Sequence, residues 1–166
     1  MTSAPGPLVI GVAELTRRLG TRREVTVAAV LDGLEISSAA VDAGAEVRGR
    51  FVLEAMSEHS ITVKGTISAP WTGECRRCLR SVEGTFDVDV EEVFDTRPVE
   101  GEMYQLDGDR LDLEPLIRDA VLLSLPLAPL CEDGCQGPEP EGHPIGSGES
   151  GAVDPRWAGL GELKFE

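Results

Sequence analysis

A chain of 166 residues with 41% apolar residues is about one domain long and has enough apolar side chains for a hydrophobic core. Its 30 acidic and 15 basic residues give a formal net charge of -15, which excludes the overall basic surface typical of nucleic-acid-binding proteins. No run approaches the about 20 apolar residues of a membrane span, and the N-terminal residues lack a signal-peptide pattern, so we expect a cytoplasmic protein.

The charge is distributed unevenly along the chain. Residues 1–80 carry ten Lys and Arg against nine Asp and Glu, whereas residues 81–166 carry five against twenty-one. This asymmetry fits a protein that docks a basic partner with one face while a local arginine cluster contacts phosphate with another. The solubility of an acidic surface explains the same composition equally well.

The N-terminal region predicts a short helix over residues 8–20. Val12, Leu15 and Leu19 recur at helical spacing, and Gly20 is a favourable residue at a helix C-terminus. Four arginines cluster around the end of this predicted helix: Arg17, Arg18, Arg22 and Arg23. We interpret them as solvated cations that suit the helix dipole rather than as a phosphate site.

From residue 24 the apolar period changes to two, which predicts β-strands. Four segments alternate in this way: 25–29, 47–55, 61–69 and 82–90. We expect the third strand to end at Pro70 and the fourth to reach a bulge or its end near Glu91 and Glu92, where the alternation slips. His59 lies between two strands and is interpreted as a turn residue. The alternating acids Asp87, Asp89 and Glu91 are interpreted as a solvated strand face.

The second half predicts one hairpin and one strong helix. Asp107-Gly108 is a turn signal, and Asp112 is a natural N-cap for a helix near 113–125 that Pro126 stops. Its apolar stripe consists of Leu113, Leu116, Ile117, Ala120 and Val121. The predicted fold is therefore α+β: an antiparallel β-sheet, open or barrel-like, with a short N-terminal helix and this packed helix.

Composition predicts three regions in the chain. Residues 1–135 form a single α+β domain, residues 136–153 form a Gly/Pro-rich disordered linker that includes His143, and residues 154–166 form a docking segment. Asp154 and Pro155 begin a short helix there, and Trp157 packs as its anchor.

The four cysteines carry the chemical hypotheses. Cys75 and Cys78 form a C-x-x-C pair, and Cys131 and Cys135 form a C-x-x-x-C pair after 52 intervening residues. Four thiolates at these spacings fit a tetrahedral zinc site, and free, partly buried thiols fit the sequence equally well. A redox pair is less favoured because no helix follows Cys75 to depress its pKa.

Catalytic patterns other than the thiols are absent from the sequence. It contains no nucleophile–base pair, phosphate-binding loop, dinucleotide fingerprint or H-x-E pattern, so we expect a protein that is not an enzyme and has no small-molecule substrate. The alternative is a thiol-based redox or RNA-processing enzyme that uses Cys75 and Cys78.

Three motifs together resemble a known family. They are Gly73-Glu-Cys-Arg-Arg-Cys-Leu79, the run from Leu111 through Asp-Leu-Glu-Pro-Leu-Ile-Arg-Asp-Ala120 to Cys131, and Asp154-Pro-Arg-Trp-Ala-Gly-Leu160. In this order they are similar to the bacterial large ribosomal RNA subunit accumulation protein family, YceD, in its actinobacterial form. The resemblance implies a cytoplasmic, non-enzymatic ribosome-biogenesis factor needed for accumulation of 23S ribosomal RNA.

The resemblance also implies partners: a large-subunit ribosomal RNA precursor, a basic ribosomal protein, or both, with no membrane. Arg76, Arg77 and Arg80 are the predicted RNA or partner contacts. Relatives often carry two further cysteines after the position of Cys135, and here Glu139 and Gly142 stand in those positions. If the lost cysteines were ligands, zinc was lost with them; if Cys75, Cys78, Cys131 and Cys135 are the ligands, the set is complete.

Overall fold

The structure is a computed structural model that describes residues 6–138. Its eight-stranded sheet has the order β1-β8-β7-β6-β5-β4-β2, with β3 beside β5, and it curls into a half-barrel. The strands are β1 (Val9–Gly11), β2 (Arg22–Val30), β3 (Ala39–Ala40), β4 (Glu46–Ala55), β5 (Ser60–Glu74), β6 (Ser81–Asp95), β7 (Tyr104–Asp107) and β8 (Arg110–Asp112). The helices are α1 (Ala13–Thr16) and α2 (Glu114–Ser124). The predicted α+β class is confirmed.

The predicted strands form one continuous part of the sheet, in which β6, β5, β4 and the edge strand β2 pair antiparallel. The inner faces of these strands and helix α2 enclose one core, whose fully buried residues include Leu53, Ile67 and Phe94. Burial of a side chain of this size stabilises a fold by about 1.5–3 kcal/mol relative to leaving it exposed. The sheet is mixed rather than wholly antiparallel, because β6 and β7 pair in parallel over two residue pairs.

Strand β5 does not end at Pro70, and that prediction was wrong. It continues to Glu74, and β6 pairs with it along its whole length, from Ser60 opposite Asp95 to Glu74 opposite Ser81. Pro70 is tolerated because β4 pairs with β5 only as far as Ser68 and β3 pairs only from Thr72 onward. The proline, which has no N–H, therefore lies where that side of β5 has no partner strand. The result is a long arm of paired β5 and β6 with the C-x-x-C motif at its tip.

The predicted bulge or strand end near Glu91 and Glu92 was also wrong. The register between β5 and β6 runs through both residues without interruption. Only the polar and apolar residue types change places here: Glu92 lies on the half-buried inner side of the strand, and Val93 lies on the outer side. The backbone pairing of β5 and β6 continues through both residues.

Most of residues 8–20, which were predicted to form a helix, are not helical in the structure. Val9–Gly11 form β1, which pairs with β8, and only Ala13–Thr16 are helical. Leu19 is 61% exposed and does not join the core. The backbone partner supplied by β8 outweighs helical spacing in so short a segment. Gly20 has a φ of 76°, which closes the turn into β2.

Helix α2 follows its prediction except that Leu113, rather than Asp112, takes the N-cap position. The Asp112 carboxylate accepts a hydrogen bond from the Glu114 N–H at 3.0 Å, so it satisfies a backbone donor at the helix start. All five residues of the predicted apolar stripe are buried. The helix ends at Ser124, and Leu125 before Pro126 is extended. The chain then runs to the second cysteine pair.

The predicted regions beyond the sheet stay predictions. Most of the linker 136–153, with His143, Glu139 and Gly142, and all of the docking segment 154–166 lie outside the described residues. Within residues 6–138, no helix has the length and apolar character needed to cross a membrane.

Candidate metal centre

The first cysteine pair lies in a tight turn at the tip of the β5–β6 arm. The Cys75 N–H donates to the Arg80 carbonyl at 2.8 Å, and the Leu79 N–H donates to the Cys75 carbonyl at 2.9 Å. Leu79 has a φ of 60°, in the left-handed region that is uncommon for residues other than glycine. We call Cys75–Arg80 the knuckle. Its hydrogen bonds hold both thiols on one side of the arm.

The second cysteine pair is docked on the knuckle by backbone hydrogen bonds. The Arg76 N–H donates to the Pro129 carbonyl at 3.0 Å. Nearer α2, the Ser38 hydroxyl donates to the Pro126 carbonyl at 2.9 Å. The segment after α2 is therefore held at two points, by the knuckle and by the residue before β3, which carries Cys131 and Cys135 to the knuckle.

The four sulfurs form one compact group, which we call the cysteine cluster: Cys75, Cys78, Cys131 and Cys135. All four are free thiols, and their Sγ atoms lie within 4.8 Å of one another. Two of the separations are 3.8 Å for Cys75–Cys135 and 3.7 Å for Cys78–Cys131. A tetrahedron with metal–sulfur bonds of about 2.3 Å has sulfur–sulfur edges of about 3.8 Å. The cluster could therefore bind a metal ion with four thiolates.

The environment of the cluster favours thiolates at the knuckle. Backbone N–H groups, first that of Cys78 and then that of Arg77, lower the pKa of Cys75 to about 6. The Arg80 side chain lowers the pKa of Cys78. On the opposite side, burial raises the pKa of Cys131 to about 12, and the neighbouring thiols add to the rise. A bound cation would remove this conflict by stabilising all four thiolates.

The three knuckle arginines have different roles in the structure. Arg80 donates through Nε to Cys78 Sγ at 3.3 Å and through Nη2 to Cys131 Sγ at 3.5 Å. Arg77 donates through Nη1 to the Cys135 carbonyl at 2.6 Å. Both guanidinium groups therefore hold the two cysteine pairs together, a role that the sequence analysis missed. Among residues 6–138, the Arg76 side chain makes no such hydrogen bond, and Arg76 is exposed.

The other candidate residues lie away from this cluster. Arg22 pairs with Glu54 at 3.0 Å, and Arg23 donates to the Gly11 carbonyl at 2.9 Å, so both bind within the sheet. On the acidic strand face, Asp89 accepts a hydrogen bond from Thr66 at 2.7 Å, and Glu91 pairs with Lys64 at 2.7 Å. His59 is exposed in the turn between β4 and β5, as predicted.

Comparison with known proteins identifies relatives of this chain. An uncharacterised protein of Mycobacterium tuberculosis (strain H37Rv) is 38% identical over 172 residues, which cover 95% of this chain and 81% of the relative. An uncharacterised protein of Mycobacterium leprae is 32% identical over 178 residues, which cover 95% of this chain and 77% of the relative. No solved structure matches this chain.

Two further matches carry a descriptive name. A protein of Arabidopsis thaliana, named large ribosomal RNA subunit accumulation protein YCED homolog 2, chloroplastic, is 34% identical over 62 residues, 37% of this chain and 27% of the relative. The family model described as large ribosomal RNA subunit accumulation protein YceD matches residues 63–164, which include the whole cysteine cluster. Because this model covers more than half of the chain, the protein belongs to the YceD family of large ribosomal RNA subunit accumulation proteins, as its three motifs predicted.

Proposed function

We propose that this protein is a non-enzymatic ribosome-biogenesis factor that supports accumulation of 23S ribosomal RNA by binding ribosomal RNA or a ribosomal protein. The family description supports the ribosomal role. The observation that carries the non-enzymatic part is the closed geometry of the cysteine cluster, whose four sulfurs lie within 4.8 Å of one another. Four protein ligands fill a tetrahedral shell and leave no position for water or substrate, which is the arrangement of structural zinc sites.

Zinc is the metal that the ligand set fits best. Four thiolates in a tetrahedron are the characteristic ligands of structural Zn²⁺, whereas Mg²⁺ and Ca²⁺ prefer oxygen ligands. Four thiolates around Zn²⁺ leave two negative charges in excess, and the Arg80 guanidinium beside Cys78 and Cys131 offsets part of this excess. Bound zinc would lock the tip of the arm to the segment after α2.

The redox alternative is disfavoured by burial. Cys75 has a lowered pKa, but its relative exposure is 0%, and that of Cys135 is 1%. Reactive cysteines need a thiolate that a substrate can reach. The Cys75 thiolate is therefore enclosed by the cluster, and the half-buried Cys78 is bonded by Arg80, which suits ligands better than nucleophiles.

Arg76 is the residue through which we propose that the knuckle binds the large-subunit precursor. It is exposed at the tip, and its side chain is not engaged with the cysteine cluster, unlike those of Arg77 and Arg80. Arg76→Glu should weaken association with large-subunit precursors by about tenfold or more, because a contact between Arg76 and the anionic RNA backbone becomes repulsive. Co-sedimentation of the purified protein with precursor particles measures this.

Arg97→Glu is the matched control for this test. Arg97 is exposed and follows β6 at the end opposite the knuckle, so the same charge change is made far from the tip. The control should co-sediment like the wild type, and both variants should keep their zinc. Unchanged association of Arg76→Glu, or an equal loss in Arg97→Glu, would remove the knuckle from the binding surface.

A further inference from the structure

A second site lies at the other end of the sheet. A cleft of about 640 Å³ opens where strands β6, β7, β8 and β1 meet. Phe94 and Asp112 line it, whereas the knuckle lies beyond the opposite end of β6, past Ser81. The volume is within the about 300–1,000 Å³ typical of ligand sites. The cysteine chemistry described above does not use this cleft.

The floor of the cleft is apolar and preformed. Its accessible ring is that of Tyr104, which is half-buried and stacks on the fully buried Phe94 behind it with ring centroids 5.1 Å apart. The Tyr104 hydroxyl donates to the Asp119 carboxylate at 3.0 Å, and burial raises its pKa, so it keeps its proton as a donor. Val9 and Met103, both half-buried, complete the floor. An ordered aromatic floor loses little entropy when an apolar side chain binds on it.

The rim of the cleft is acidic. Glu100, Asp107 and Asp112 are exposed carboxylates around the opening, and Arg110 is the cation on the rim. The rim therefore has a net negative charge, in a chain whose formal charge is -15. This field attracts cations and repels the phosphates of RNA. An apolar floor with an acidic rim is complementary to a peptide that combines apolar and basic side chains.

We infer that this cleft binds a short cationic segment of a partner protein, with an apolar side chain on the floor and Lys or Arg side chains at the rim. The inference rests on the proposed function, since it gives the chemistry of one partner of a ribosome-biogenesis factor. The cleft is separate from the knuckle. Binding of a peptide in the cleft and binding of the precursor at Arg76 can therefore fail independently.

The test uses the full chain and a fluorescein-labelled heptapeptide of alternating lysine and leucine, with fluorescence anisotropy as the readout. The wild type should bind it saturably, and Glu100→Lys/Asp107→Lys should weaken binding by about tenfold or more, because the rim becomes cationic. Added salt should weaken wild-type binding, since exposed charges are screened. Met103→Asn, which makes the floor polar without changing its charge, should weaken it by a similar factor.

The matched control is Glu83→Lys/Asp87→Lys, which changes the net charge equally but on the exposed outer face of β6. It should bind the heptapeptide like the wild type. The inference is overturned if the wild type does not bind, if the control loses as much as the rim variant, or if a lysine–serine heptapeptide binds equally well. The inference is also overturned if the wild type binds a single-stranded RNA oligonucleotide and the rim variant does not. Precursor association of Arg76→Glu is a separate readout that tests the proposed function alone.

Discussion

Replacing Cys75 with serine should remove a stoichiometric zinc ion from the purified protein, and Cys78→Ser, Cys131→Ser and Cys135→Ser should each cause the same loss. All four sulfurs belong to one group within 4.8 Å, so removing any one breaks a single tetrahedral site rather than one of two independent pairs. Metal analysis of the wild type and of the four variants by mass spectrometry measures the loss directly.

The same substitutions should lower the temperature of thermal unfolding. The metal would join segments that are 52 residues apart in sequence, so its loss frees a long loop and releases binding energy that contributes to folding. Arg76→Ser is the matched control, because it changes a knuckle residue whose side chain makes no hydrogen bond to a cluster sulfur among the described residues. If two of the four cysteine variants kept one zinc ion per chain, the two cysteine pairs would not share a site.

Arg80→Glu should lower zinc affinity by about 10–100-fold, the usual cost of removing a partner of a metal ligand. The guanidinium bonds two sulfurs, Cys78 at 3.3 Å and Cys131 at 3.5 Å, and a carboxylate in its place would repel both thiolates. Competition with a chromophoric chelator measures the affinity. Arg80→Lys keeps the positive charge but cannot donate to both sulfurs in the geometry of the guanidinium group. Its zinc affinity should lie between that of the wild type and that of Arg80→Glu.

Arg76→Glu makes the same charge change within the same turn and should leave the affinity as it is. If it lowers zinc affinity as much as Arg80→Glu does, the effect is one of general charge, and the two bonds to sulfur carry no special weight. The distinction matters for function as well. Replacing all three knuckle arginines at once would mix loss of the metal with loss of a partner contact.

Strong local patterns in the sequence predicted much of the fold. The apolar stripe of α2 and the alternation of β2, β4 and β5 each bury one face, so the pattern and the tertiary environment demand the same structure. Asp112 and Pro126 mark the ends of α2 because capping and the loss of a backbone N–H are local effects.

Where the prediction failed, a distant partner decided the structure. Val9–Gly11 form a strand because β8, about a hundred residues later in the chain, supplies the backbone partner. Pro70 stays inside β5 because of a gap between two neighbouring strands, which no local signal reveals. Residue type alone suggested an interruption at Glu92 that the continuous register does not contain.

The candidate site was predictable in its residues but not in its arrangement. Cysteine spacing alone identified the four candidate ligands, and the structure brings their thiols together. The approach of Cys75 to Cys135 and of Cys78 to Cys131 depends on the docking of the segment after α2. The roles of Arg77 and Arg80 were missed because an arginine beside a cysteine looks the same in sequence whether it points to solvent or to sulfur. The acidic cleft joins residues from 9 to 115, and no local pattern in the sequence connects them.

We propose that this protein supports accumulation of 23S ribosomal RNA through a knuckle that a metal ion holds in place. The most direct test is the ratio of 23S to 16S ribosomal RNA in cells that lack their own copy of the gene. Expression of the wild type or of Arg97→Glu should restore the ratio, whereas Cys75→Ser and Arg76→Glu should leave it low. Full restoration by both Cys75→Ser and Arg76→Glu, at equal protein levels, would contradict the claim.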